Sequence, residues 1–229
     1  MKRSLLLICI LLVGFTIAYA QPRDKPKGFQ VSLGFDGIAY FGDFYEQNSR
    51  LIRVHPGFNF QLQRYHRRAF SLLLNGGFGQ FADQYDQALP VLDEQGTPIT
   101  FVETRFIYGD LRVSYEPPMQ GRWQPYVTLG AGLIRFSPFD RDGRPLINRS
   151  ASREEGEDYN AIIPQLPASL GFRTRLTKVV SAGAAYTYRF VPSDYLDNLG
   201  VQGSRQGFDD LHSLTLFLSF DIGVEGVKE

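Results

Sequence analysis

Phe29-Gln30-Val31-Ser32-Leu33-Gly34-Phe35-Asp36 alternates apolar with polar or small residues without a break, and Ala39 and Phe41 prolong its apolar row. Side chains of an extended strand point alternately to opposite faces, so this period of two predicts a strand with one greasy face. The pattern returns seven more times. Phe58, Phe60 and Leu62 oppose Asn59, Gln61 and Gln63; Phe70, Leu72 and Leu74 oppose Ser71 and Asn75; Leu111, Val113 and Tyr115 oppose Asp110, Arg112 and Ser114. Val127, Leu129 and Ala131 then oppose Thr128, Gly130 and Gly132; Leu166, Leu170 and Phe172 oppose Gln165, Ser169 and Arg173. Tyr186, Tyr188 and Phe190 face away from Thr187 and Arg189, and Leu214, Leu216 and Leu218 from Ser213, Thr215 and Ser219.

The connections between these segments have a rhythm. Tight ones fall near Tyr65–Arg68, Glu116–Arg122 and Thr177–Lys178; long ones cover Gly42–Arg50, Ala82–Pro98, Ser137–Tyr159 and Val191–Asp210. The long stretches hold much of the Asp, Asn and Pro, as solvated loops do. Short connections on one side and long ones on the other predict an all-β chain: an eight-stranded antiparallel up-and-down transmembrane β-barrel. Its location is expected to be the cell outer membrane, with both termini periplasmic and the long loops extracellular.

Alternation alone does not say which face is inside. Gly34, Gly57, Gly77, Gly79, Gly130, Gly132, Gly171 and Gly183 share the polar face, whereas only Gly37, Gly76 and Gly109 fall on the other. Glycine weakens a strand, so this bias implies crowding on the polar side, as in the narrow interior of a small barrel. That face also carries Arg53, Arg112, Arg173, Arg175 and Arg189 with Asp36, Asp110 and Asp221. Such charges pair in a polar lumen and are costly against lipid. Phe41, Tyr65, Tyr115, Trp123, Phe136, Tyr188 and Phe220 lie near segment ends, where interfacial aromatic girdles are expected. A soluble exported barrel or sandwich with its apolar face inward accounts for neither the loop rhythm nor the glycines. Pro56, Pro164 and Pro167 remove backbone donors inside strand-like segments, so bulges or strand ends are expected there.

Residues 1–20 read as a signal peptide: Lys2 and Arg3, an apolar run from Leu5 to Ile17, and a small-x-small site at Ala18-Tyr19-Ala20. Residues 21–27 form a flexible leader, 28–222 the barrel and 223–229 a C-terminal tail. Cleavage discards Cys9, the one cysteine, and with it any disulfide. It leaves 22 of the 24 basic residues against 24 acidic ones, a near-neutral chain that implies no nucleic-acid partner.

Three stretches carry a resemblance. Leu33-Gly34-Phe35-Asp36-Gly37-Ile38-Ala39-Tyr40-Phe41-Gly42-Asp43 resembles the "G…YxGD" opening of a small outer-membrane barrel family common in Bacteroidetes. Pro125-Tyr126-Val127-Thr128-Leu129-Gly130-Ala131-Gly132 is similar to its fifth strand, and Asp194-Tyr195-Leu196-Asp197 to a "DYLD" signature after its seventh. Each motif is short; their order and spacing over most of the mature chain carry the likeness. The family includes the small barrel component of the type IX secretion machinery, so the resemblance implies a secretion-accessory role. The chain is also similar to the OmpA-type membrane barrel, without room after the eighth segment for a peptidoglycan-binding domain.

Barrels of this size include enzymes of lipid A, so the histidines bear on function. His55 lies on the polar face and His66 in a turn among Arg64, Arg67 and Arg68. His212 and Ser213 are adjacent and point to opposite faces, which opposes a nucleophile–base pair. Asp209 and Asp210 read as a charged loop end. Asp140-Arg141-Asp142-Gly143 resembles part of a calcium loop but lacks the later ligands. Asn148-Arg149-Ser150 is a formal sequon, and Asp43, Asp194 and Asp197 are candidates to stitch the outer rim. No catalytic, cofactor-binding or metal site is expected. The expected function is a non-enzymatic structural, assembly or secretion-accessory barrel whose partners are outer-membrane lipid and envelope or secretion-complex proteins. A lipid-modifying enzyme and a small-solute channel are the alternatives.

Overall fold

The computed structural model describes residues 28–41, 53–65, 69–84, 101–119, 123–146, 160–193, 196 and 209–222. They form eight strands: β1 (Phe29–Phe41), β2 (His55–Tyr65), β3 (Phe70–Gln84), β4 (Phe101–Tyr115), β5 (Trp123–Phe139), β6 (Ile162–Arg175), β7 (Val180–Val191) and β8 (Asp209–Ile222). Each pairs antiparallel with the next, and β1 pairs with β8 to close the barrel. Closure leaves no sheet edge, so every strand finds backbone partners on both sides. The signal peptide, leader and tail lie outside the described residues.

The faces are those that the alternation predicts. Leu129 is 69% exposed and Leu33 57%, while Asp36 and Ser219 are 0% exposed. Phenylalanines and leucines thus cover the outer wall, and polar groups fill the bore except at its loop-ward end, which overturns the inward-greasy soluble alternative. An exposed apolar belt of this extent needs a non-aqueous neighbour. The shortest strand has 11 residues and the longest 17, enough to cross a hydrocarbon layer, which takes roughly 9–11. Phe29 pairs with Ile222, so both ends of the barrel chain meet at the rim that carries the short turns.

Strand ends depart from expectation in instructive ways. β3 runs on to Gln84 and β5 to Phe139. Asp209 and Asp210 are not a loop end; they open β8 and pair with Val191 and Phe190 of β7. Pro56 and Pro164 sit within three residues of their strand starts, as expected. Pro167 does not produce a bulge. The β5–β6 register is the same on either side of it, with Leu129 opposite Ala168 and Gly132 opposite Gln165. The rungs between those pairs are missing instead, which is what loss of an N–H does to a ladder.

Candidate functional site

The bore is built in three tiers. At the short-turn end, Gln63 Nε2 donates to Ser71 Oγ and to Glu116 Oε1, each at 2.6 Å. Arg173 donates to Tyr65 Oη at 2.6 Å and to Gln63 Oε1 at 2.9 Å, with Glu116 3.7 Å away. Its guanidinium also lies over the Tyr126 ring, 5.4 Å from the centroid. Nearby, Gln30 donates to Asp221 at 2.6 Å and the Ser32 and Ser219 hydroxyls meet at 2.7 Å.

The middle tier holds the buried charges. Arg112 is ion-paired with Asp110 and donates to Ser169 Oγ at 2.8 Å, and Asn75 donates to Asp110 at 3.1 Å. Asp36 accepts from Asn59 at 2.6 Å, Thr215 at 2.5 Å and Tyr108 at 3.2 Å. Arg189 lies 4.3 Å above the centre of the Tyr108 ring and donates to Ser213 at 2.8 Å. A buried charge is tolerable only when paired or hydrogen-bonded, and here each has such partners.

The tier nearest the long loops is apolar, which the polar-lumen expectation did not include. Tyr40 stacks on Phe81 at 4.1 Å and 8°, among Ile38, Phe106, Ile134, Phe136, Val191 and Leu211. Leu196, from the connection after β7, joins this cluster and is 0% exposed. The Thr104 hydroxyl donates to the Leu196 carbonyl at 2.7 Å and pins it there. One residue of the "DYLD" stretch therefore stoppers the bore. Asp43, Asp194 and Asp197 lie outside the described residues.

Two of the expected girdle aromatics are in the bore instead. Phe136 is fully buried, and Tyr65 serves Arg173. Each shares the parity of inward neighbours, Ile134 and Gln63, so strand periodicity outweighs the aromatic preference for an interface. Tyr115, Trp123 and Phe220 do lie on the outer wall. Glu116, read as part of a turn, continues the inward row of Asp110, Arg112 and Ser114 and is buried. Its parity was the available signal.

The inward glycines are seats for large side chains. A Cβ on Gly79 would meet Ile38 Cδ1 and the Phe106 ring, and one on Gly171 the Tyr126 ring; one on Gly109, on the outer wall, would meet nothing within 4 Å.

His55 Nε2 accepts from the Ala82 N–H at 3.3 Å. His66 and the Asn148-Arg149-Ser150 sequon lie outside the described residues. Asp140 closes a turn by accepting from the Arg144 N–H at 2.7 Å; Gly143 there has φ 75°, a left-handed conformation that suits glycine. Ser213 faces the bore and His212 the outer wall, as their adjacency predicts. His212 Nδ1 is hydrogen-bonded to the Tyr186 hydroxyl, and its ring meets Tyr188 edge-on at 5.2 Å. Tyr188 in turn donates to Asp210 at 2.7 Å. Below this cluster a groove of about 430 Å3 opens on the outer wall over Gly37 and Ala39. The structure therefore presents a packed bore and one polar cluster at the lip of an apolar groove.

Residues 7–219 match the family described as outer membrane protein beta-barrel domain. Among solved structures, the chain is similar to Neisserial surface protein A (NspA), at 11% identity and a TM-score of 0.54, covering 87% of this chain and 100% of that one. It is also similar to Ail, the attachment invasion locus protein of Yersinia pestis, solved with the heparin analogue sucrose octasulfate (11% identity, TM-score 0.48, 86% and 99% covered). A third likeness is to OprG from Pseudomonas aeruginosa (12% identity, TM-score 0.46, 88% and 99% covered). At 11% identity the likeness to NspA speaks for the fold alone. No curated protein matches the sequence.

Proposed function

Because this chain belongs to the outer membrane protein β-barrel domain family and so to the outer membrane, we propose that it is a non-enzymatic structural or assembly barrel that holds envelope proteins through its loops or turns. Both termini lie in the periplasm and the long loops outside. The most specific form of this reading is an accessory of a secretion apparatus, as the resemblance of the Tyr40–Asp43 and Asp194–Asp197 stretches implies.

The observation that supports it is the filled bore. Arg112 and Asp110 bind each other, and Asp36 and Arg189 share Tyr108, rather than line a passage, and Phe81, Phe136 and Leu196 close the loop end. A side-chain-filled interior is what eight strands allow, and it leaves the rims as the surfaces for partners. Against a hydrolytic role stands the separation of His212 from Ser213 by the barrel wall.

The test is affinity capture of the folded barrel, cross-linked in intact envelopes. Enrichment of defined envelope or secretion proteins is expected. A clean preparation with no partner, a changed lipid A mass on deletion, or single-channel conductance in planar bilayers would each overturn the reading.

A further inference from the structure

Two arginines break the apolar outer wall, and they are neighbours. Arg105 of β4 and Arg135 of β5 both point outward and are exposed. Ile107 pairs with Arg135 and Arg105 with Ser137, so the two arginines form a diagonal pair, roughly 7–8 Å apart at the backbone. Arg105 Nε donates to Glu103 Oε1 at 2.8 Å, and its guanidinium lies 5.1 Å from the centre of the Phe139 ring. Arg135 has no acceptor among the described residues. Ile107 and Ile162 flank it on the adjoining strands, and both are exposed. Among the described strand residues, no other Lys or Arg faces outward in the loop-ward half of the wall. At the corresponding end of β8, four strands round the barrel, Asp210 and His212 stand instead.

Height decides what meets this pair. Trp123 and Tyr115 mark the turn-side girdle on the same two strands. At about 3.3 Å per residue and a tilt of roughly 40°, Arg135 lies about 30 Å above Trp123 and Arg105 about 25 Å above Tyr115. The apolar band of such a barrel is about 25 Å tall. Both guanidiniums therefore lie at its far edge, in the plane of lipid phosphates. An unpaired guanidinium beside isoleucines is costly unless an anion reaches it. We infer that Arg105 and Arg135 clamp one lipid phosphate at the long-loop face of the membrane. A phosphate has enough oxygens for two guanidinium forks at once, whereas one fork already fills a carboxylate. An acidic side chain of a neighbouring protein is thus the poorer occupant. The clamp holds whichever way up the barrel lies; the orientation proposed above fixes only the leaflet that supplies the lipid.

The test is native mass spectrometry of the full barrel in mild detergent, offered phosphatidylglycerol, monophosphoryl lipid A, diacylglycerol or inorganic phosphate. One copy of either phosphorylated lipid is expected to stay bound and diacylglycerol to be lost. Arg135→Gln and Arg105→Gln should each lower retention roughly fivefold, the effect of one cation on an anionic headgroup. Glu103→Gln should raise it, because the competing carboxylate is gone. His212→Gln, on the far wall, should hold lipid like the wild type. The gel shift between folded and unfolded barrel checks that each variant is folded. Equal retention by Arg135→Gln and the wild type would overturn the inference, as would equal retention of diacylglycerol. Inorganic phosphate binding as tightly as the lipids would overturn the assignment to a lipid. A cross-link from Arg135→Cys to an envelope protein would give the site to a protein partner instead. None of these failures would touch the filled bore and its structural reading.

Discussion

Arg112 binds Asp110 of its own strand, Nε to one carboxylate oxygen at 2.5 Å and Nη2 to the other at 3.0 Å, so β4 carries both halves of an ion pair into the bore. Residues two apart on a strand share a face, and here the shared face is the interior. The pair is anchored from two further strands, β3 through Asn75 and β6 through Gln165 and Ser169. It works as a cross-barrel tie.

Removing one half should therefore cost more than removing both. Arg112→Met leaves a buried carboxylate without its counter-charge, a loss of about 3–5 kcal/mol, whereas exchanging both partners for neutral residues is often close to neutral. Urea unfolding in lipid vesicles, followed by the gel shift between folded and unfolded barrel, measures both. Arg112→Met should unfold at lower urea than the Asp110→Asn/Arg112→Met double variant. Equal midpoints would show that the pair does not tie the wall.

Gly79 faces Ile38 and Phe106 with no room for a Cβ. Gly79→Val should cost about 1–3 kcal/mol by overpacking, and Ile38→Ala in the same chain should return part of that loss because the contact is between side chains. Gly109→Ala, in open space on the outer wall, should fall within about 0.5 kcal/mol of the wild type. The same unfolding assay decides, and a Gly79 penalty unmoved by Ile38→Ala would place the crowding elsewhere.

Strand number, antiparallel order and the sidedness of each segment were legible, because one period-two pattern governs leucine and glycine alike. The ends of the strands were not. Near a rim, an apolar side chain is equally at home in the interfacial zone and in a stoppered bore, and only counting parity from the strand centre separates Phe136 from Phe220. Asp209 and Asp210 look like loop residues by type, yet β7 extends far enough to pair with them. Leu196 was hidden for a different reason. It lies outside any alternating run, and its place in the bore depends on Thr104, which is 92 residues away in the chain. Glu116 does lie in the connection between β4 and β5, as its place in the sequence implies; its burial follows from the parity of Asp110, Arg112 and Ser114, which continues one residue past the strand end.

Leu196→Ala should loosen the stopper. Truncating a buried leucine costs about 2–5 kcal/mol, and the cost should fall on the loop end, where Leu196 packs with Val191 and Leu211. Hydrogen exchange is expected to quicken at the loop-ward ends of β7 and β8 and to stay unchanged around Gln63 and Arg173. Uniform acceleration along the strands would mean that Leu196 supports the whole barrel rather than its loop-ward tier.

Leu129 lies on the outer wall of β5, well away from either strand end. An arginine at the bilayer midplane costs about 2–4 kcal/mol, so Leu129→Arg should lower stability in vesicles by that order. In detergent micelles, which deform around a charge, the loss should be smaller. An equal or larger loss in micelles than in vesicles would argue that this side chain does not face the hydrocarbon.

Orientation is open to a direct test, because the chain's one cysteine, Cys9, falls within the expected signal segment. Arg141 is exposed in the hairpin after β5, at the long-loop rim, and Lys178 is exposed in the tight turn between β6 and β7, at the opposite rim. A membrane-impermeant maleimide added to intact cells should label Arg141→Cys and spare Lys178→Cys, and permeabilising the outer membrane should expose both. The reverse pattern would turn the barrel over. It would move the Arg105–Arg135 pair to the inner leaflet and put the long loops in the periplasm, where any partner would then have to be sought.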